Sequence, residues 1–131
     1  MKISIVNLVL LGGLTTLLNA GNPGESAMNC LNVTTRNTEV NNVKFENGCS
    51  TPIFVVWCGE LRFSNKECGD GPNNTFYTHS TNIMPHSDYS TTIKKGGAFK
   101  YASCKGGIGF SSAGAIDAPA NKNGRFTCLK N

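Results

Sequence analysis

Long hydrophobic runs are scarce in this 131-residue chain, and the one extended example stands at its start. Ile3 to Leu18 is apolar apart from Ser4, Asn7, Thr15, Thr16 and two glycines. A short basic start, Met1-Lys2, precedes it, and Leu18-Asn19-Ala20 leads out of it into the breaker-rich Gly21-Asn22-Pro23-Gly24. This order of segments predicts a secretory signal peptide over residues 1–20. The run is too short and too glycine-interrupted for a membrane span, so no membrane partner is expected once it is removed. Helical periodicity is also missing, since no stretch of ten residues after Ala20 repeats apolar positions every three to four; that excludes a helical domain or coiled coil. Charge of one sign is weak as well. Losing Lys2 takes the formal net charge from +4 to +3, and only Lys94-Lys95 among the remaining basic residues are adjacent. A nucleic-acid interface needs clustering that this chain lacks, so none is expected, and a mild preference for acidic surfaces is the most the balance allows.

What remains is one small domain with six cysteines, Cys30, Cys49, Cys58, Cys68, Cys104 and Cys128, and all eleven aromatic residues. An even number of cysteines behind an export signal predicts three disulfides and an oxidising compartment, extracellular or, in a bacterium, periplasmic. Structural zinc draws on closely spaced ligand pairs, whereas the nearest cysteines here are Cys49 and Cys58, and neither His79 nor His86 lies at finger spacing from a pair. No metal and no cofactor are expected. The spacing does not choose the pairing.

Residues 21–42 are polar, rich in Asn and Thr, and predict an extended lead-in tied down through Cys30. A domain follows over 43–131. Val43-Lys44-Phe45-Glu46 alternates as a strand with one wet face, and Asn47-Gly48 signals a turn. Ile53-Phe54-Val55-Val56-Trp57-Cys58 is continuously apolar and reads as a central strand buried on both faces. Gly59 to Asn74 reads as loop. Thr75–His79 and Thr81–Met84 predict two short strands, Pro85–Asp88 a turn, Tyr89–Ile93 and Phe99–Cys104 further strands, and Asn123-Gly124 a hairpin turn into Arg125–Cys128. Short strands at this spacing, punctuated by Gly and Asn, predict an all-β fold: a small disulfide-stabilised β-sandwich or a partly open barrel.

Residues that could carry chemistry are few. His86-Ser87-Asp88 holds the three residue types of a hydrolase triad, but sequence neighbours cannot bridge one another as a triad must, and a polar turn explains them. Asp70-Gly71-Pro72-Asn73-Asn74 offers oxygens without the spacing of a calcium loop. No pair of carboxylates can be nominated for glycoside hydrolysis. No catalytic residue is therefore assigned. Trp57 lies in the most apolar run and is expected in the core; Tyr77, Tyr89 and Tyr101 are the expected ligand-binding rings on an exposed face. Asn32 and Asn73, each followed two positions later by Thr, fit the N-glycosylation pattern in segments read as loops.

Phe45-Glu46-Asn47-Gly48-Cys49, with Val55-Val56-Trp57 downstream, resembles the opening of thaumatin-like proteins. The resemblance covers about Val43 to Cys104. The chain departs from that family in having fewer cysteines, about half the length and no Arg-Glu-Asp cluster along an acidic cleft, so no functional residue carries over. The Asn-containing early strand, Trp57-Cys58 and the strand ending in Cys104 are similar to plant self-incompatibility-type small secreted proteins. That resemblance implies a sandwich with a Cys58–Cys104 bridge and a role as an extracellular ligand. The expected function is a secreted, monomeric, disulfide-rich binding module whose partner is an extracellular protein or glycan. The alternatives are a small secreted hydrolase acting on an extracellular polymer, and an inhibitor presenting the loop Gly59 to Glu67 between Cys58 and Cys68.

Overall fold

The computed structural model describes residues 23–69, 76–107, 115–116, 124 and 126–130. The signal-peptide segment 1–20, the candidate Asn73 with the Asp70–Asn74 turn, and Asn123 of the hairpin lie outside the described residues. The fold is all-β. Among the described residues eight strands follow in chain order: β1 (Leu31–Thr35), β2 (Val43–Asn47), β3 (Ile53–Gly59), β4 (His79–Ile83), β5 (Asp88–Thr91), β6 (Phe99–Lys105), β7 (Ala115–Ile116) and β8 (Thr127–Cys128). They form two antiparallel three-stranded sheets, ordered β1-β2-β5 and β4-β3-β6, and a two-stranded β7-β8 ribbon. The two larger sheets make an open sandwich, not a closed barrel.

The alternation in β2 sets the inner core. Val43, Phe45 and Asn47 point inward while Lys44 and Glu46 stay half-wet. Phe45 meets Trp57 of β3 and Tyr101 of β6 with ring centroids 5.4 and 5.9 Å apart, joining Ile53, Val55, Leu61, Ile83 and Ile93 in one cluster. β3 is apolar throughout because its other face is also covered: Phe54, Val56 and Cys58 pack with Phe76, Tyr77, Ala102 and Cys104 in a second cluster. The cover there includes two segments strapped down by the Cys58–Cys68 and Cys104–Cys128 disulfides, the second of them carrying β8 of the ribbon.

The lead-in expected over 21–42 contains a strand. β1 alternates Leu31 and Val33 inward with Asn32 and Thr34 outward and pairs with β2 from Leu31–Asn47 to Thr35–Val43. Its Asn- and Thr-rich outer face hid that period, and Asn32 consequently sits exposed on an edge strand and not in a loop. Cys30 does tie the segment down, to Cys49. The Cys58–Cys104 bridge implied by resemblance does not form. On paired β3 and β6, Cys58 lies opposite Lys100 and Cys104 opposite Phe54; four residues along a strand is about 13 Å, beyond disulfide reach. At Asn47-Gly48, read as a turn, the chain leaves β2 and crosses to β3 in the other sheet. One strand, β4, replaces the two expected over 75–84; Phe76 and Tyr77 are consecutive and both buried, which alternation cannot produce.

Two buried asparagines bracket β2. Asn47 Nδ2 donates to the carbonyls of Thr51 and Ile83 (both 2.9 Å), and its Oδ1 accepts from Cys49 N–H at 2.8 Å. Asn42, just before the strand, donates to the carbonyls of Ile93 (2.9 Å) and Thr38 (3.2 Å) and accepts from Ile93 N–H at 2.9 Å. Each amide is satisfied on both sides, so burial carries no unpaired-group penalty, and each sews the ends of strands from different parts of the chain together.

Candidate functional site: a loop-built end of the sandwich

Three connections converge where β1, β3 and β5 end: residues 36–42, 60–67 and 92–98. Backbone and side-chain bonds pin them to one another. Glu60 N–H donates to Ala98 C=O (2.9 Å), Lys94 N–H to Glu60 C=O (2.7 Å) and Arg62 N–H to Thr92 C=O (3.2 Å). Asn41 N–H donates to Thr92 Oγ1 at 2.9 Å, and Ala98 N–H to the Glu60 carboxylate at 2.7 Å. Leu61 is 4 % exposed and bridges Ile93, anchoring the middle loop in the inner core, while Cys58–Cys68 fixes its base. Gly59 is required there: at φ 141° a Cβ would fall 2.5 Å from Ala98 C=O.

On this frame stand exposed groups. Phe63 is 75 % exposed, the most exposed large apolar side chain among the described residues, and Val40 on the neighbouring loop is half exposed. The Arg62 guanidinium lies over the Phe63 ring, 5.5 Å from its centroid. It also donates to Glu39, at 2.7 Å to the carbonyl and 3.0 Å to Oε2. Lys95 Nζ reaches the same carboxylate at 3.9 Å. Pairs this wet add about 0–1 kcal/mol of stability, so their effect is to hold the arginine over the ring. Arg36, Arg62, Lys66, Lys94 and Lys95 outnumber Glu39, Glu60 and Glu67 on these loops. Beside the patch runs a groove of about 470 Å³ between Thr35-Arg36-Asn37 and Lys95-Gly96-Gly97, its lining completed by Asn42, Ile93 and Phe99.

Tyr89 and Tyr101 both flank the Phe45–Trp57 pair, and Tyr77 lies apart from them in the second core. Tyr77 is 2 % exposed in the second core, edge-on to Phe76 and Phe126, and its hydroxyl donates to Gly124 C=O. It is therefore no part of an exposed face, because the strapped segments cover it. Tyr89 is 41 % exposed on β5, with its ring 5.5 Å from Trp57. Tyr101 is half-buried on β6 between Phe45 and Phe99. Trp57 itself is in the core at 3 % exposure. Its Nε1, together with Thr78 Oγ1 and His79 Nε2, is buried without a hydrogen-bond partner. His79 stacks on the Trp57 ring at 5.8 Å. Burial, with Lys66 nearby as a second cause, holds the His79 pKa below its ordinary 6.5, so the imidazole is neutral at pH 7.

Met84-Pro85-His86-Ser87 is a β-turn closed by Ser87 N–H to Met84 C=O at 3.1 Å, with His86 at φ 59° in the position where a type II turn requires positive φ. Ser87 Oγ donates to Pro85 C=O at 3.5 Å. Among the described residues no group of three or more His, Cys, Asp or Glu is placed to hold a metal. Sequence reasoning singled out the Cys58–Cys68 loop but missed Phe63; the available signal was one aromatic side chain inside a cysteine-bracketed segment that is polar apart from Gly59 and Leu61. Arg36 and Lys95 are far apart in sequence, and only the pairing of β1, β2 and β5 brings their loops together. Comparison with protein-family models, curated proteins and solved structures returns no match.

Proposed function

We propose that the chain is a secreted, disulfide-bonded binding module that engages an extracellular protein or glycan through the loop-built end. The observation that carries this reading is Phe63: a ring left three-quarters exposed on a loop that a disulfide, a buried leucine and a net of hydrogen bonds all hold still. An exposed aromatic residue gains contact area on binding at small entropic loss when its support is already rigid, and an adjacent arginine adds directional donors. Three disulfides fit an oxidising, extracellular compartment. The inhibitor alternative is favoured by the same loop, since 59–67 is the bracketed segment that projects Arg62 and Phe63.

A glycan array and a pull-down from extracellular extract, run with wild type and Phe63→Ala, test the reading. Wild type is expected to retain a ligand that the variant loses, with both proteins melting within about 0.5 kcal/mol of each other, as for a surface change. Equal retention by both would remove this end as the binding face.

A further inference from the structure

We infer that the groove between Thr35-Arg36-Asn37 and the Lys95-Gly96 turn is a subsite for a carboxylated sugar, such as a uronic-acid residue of an acidic glycan. The inference rests on the binding reading above and names the ligand class at that end. Its lining contains two cations and no carboxylate. Arg36 is exposed and forms no ion pair among the described residues, and Lys95 has only the 3.9 Å approach to Glu39, a carboxylate that Arg62 already holds at 3.0 Å. The guanidinium offers a planar fork matched to a carboxylate, and the ammonium beside it adds a second positive charge.

Both walls are set before a ligand arrives. Arg36 N–H donates to Asn42 C=O at 2.7 Å, and Asn42 is sewn to Ile93 from both sides of its amide. The opposite wall is the Lys94–Gly97 turn, closed at 2.7 Å, in which Gly96 has φ +75° and open space for 4 Å around the position of an absent Cβ. A preformed site loses little freedom on binding. The volume, about 470 Å³, lies within the range of small-ligand sites. An acidic peptide would be satisfied by the two charges alone. The Thr35 hydroxyl, the Asn37 amide and the Phe99 ring add what a sugar specifically uses: partners for hydroxyls and an aromatic surface for the apolar face of a pyranose.

The probe is an oligomer of galacturonic acid, titrated into the full disulfide-bonded protein and followed by amide NMR shifts. Its methyl ester and an oligoglutamate of equal charge serve as comparison arms. The oligouronate is expected to shift amides of 35–42 and 95–99. The ester should bind about tenfold more weakly or worse, as should Arg36→Gln, whose side chain is exposed and whose loss leaves the fold intact. Binding should weaken as salt rises. Absence of shifts with the oligouronate, equal binding by oligoglutamate, or an Arg36→Gln protein that binds like wild type would each overturn the inference. If any of these occurs while Phe63→Ala still abolishes capture from extract, the sugar subsite alone fails and the loop-end reading stands.

Discussion

The two ends of the sandwich are closed by the same device and finished differently. At each, a buried asparagine flanking β2 sews distant segments together, Asn47 to Thr51 and Ile83 at one, Asn42 to Thr38 and Ile93 at the other. The Asn47 end also carries the Cys30–Cys49 disulfide and a larger groove of about 850 Å³ lined by Pro52, Met84 and Pro85, with Glu25 and Lys105 paired beside it at 3.3 Å. Its charges are spent on each other. The Asn42 end has no disulfide crossing between its outer loops; hydrogen bonds do that work, and its cations outnumber its carboxylates. The contrast is that Cys30–Cys49 joins two segments of one end, where the charged groups are paired with each other, whereas Cys58–Cys68 closes only one loop of the other end, whose three loops are joined to one another by hydrogen bonds and present more cations than carboxylates outward.

The largest expected effect belongs to what both ends share. Trp57→Ala removes a side chain 3 % exposed at the centre of the inner core and should cost about 3–5 kcal/mol. That loss is expected to appear as failed secretion or a collapse of thermal stability at both ends together. A Trp57→Ala protein that melts like wild type would break the comparison at its root.

A smaller pair of changes separates the ends. Replacing both Cys30 and Cys49 by Ala should cost about 3 kcal/mol through the freed loop yet leave ligand binding unchanged at temperatures where the protein is folded. Asn42→Ala should cost about 2 kcal/mol, from lost hydrogen bonds and backbone groups left unpaired, and should also weaken binding. Urea unfolding gives the stabilities, and amide exchange at 35–42 and 92–98 reports the loosening, expected for Asn42→Ala alone.

The smallest effect is acid sensitivity near the Trp57–Tyr89 edge. His79 binds its proton more weakly folded than unfolded, because burial disfavours the imidazolium and Lys66 adds to that. Its contribution is therefore fully present above the ordinary 6.5 and is lost as pH falls through the depressed folded value. Stability measured by urea titration should decline below about pH 6.5, and His79→Gln should flatten that decline. An unchanged acid limb in the variant would assign it to other groups.

The inner core was legible because its strands alternate: Val43–Glu46 and Phe99–Tyr101 each declare one wet and one dry face, and the unbroken apolar run Ile53–Cys58 announces cover on both sides. The second core was not, since Phe76 and Tyr77 are adjacent rings outside a strand and the straps over them depend on pairings, Cys58–Cys68 and Cys104–Cys128, that spacing does not determine. β1 was missed because an edge strand with a polar outer face shows only two inward residues, Leu31 and Val33. Of the expected binding rings, Tyr77 lies in the core and Tyr89 and Tyr101 face the aromatic cluster around Trp57; the exposed ring of the loop end, Phe63, comes from a loop that carries no periodicity to read.

Amide hydrogen exchange of the protein bound to its captured ligand tests the central claim most directly. Protection gained on binding is expected at 36–42, 60–67 and 92–98, with the Cys30–Cys49 end unchanged. Protection confined instead to Cys49–Thr51, Met84 and Lys105–Gly107, which line the opposite groove, would place the binding face at the opposite end and contradict the account.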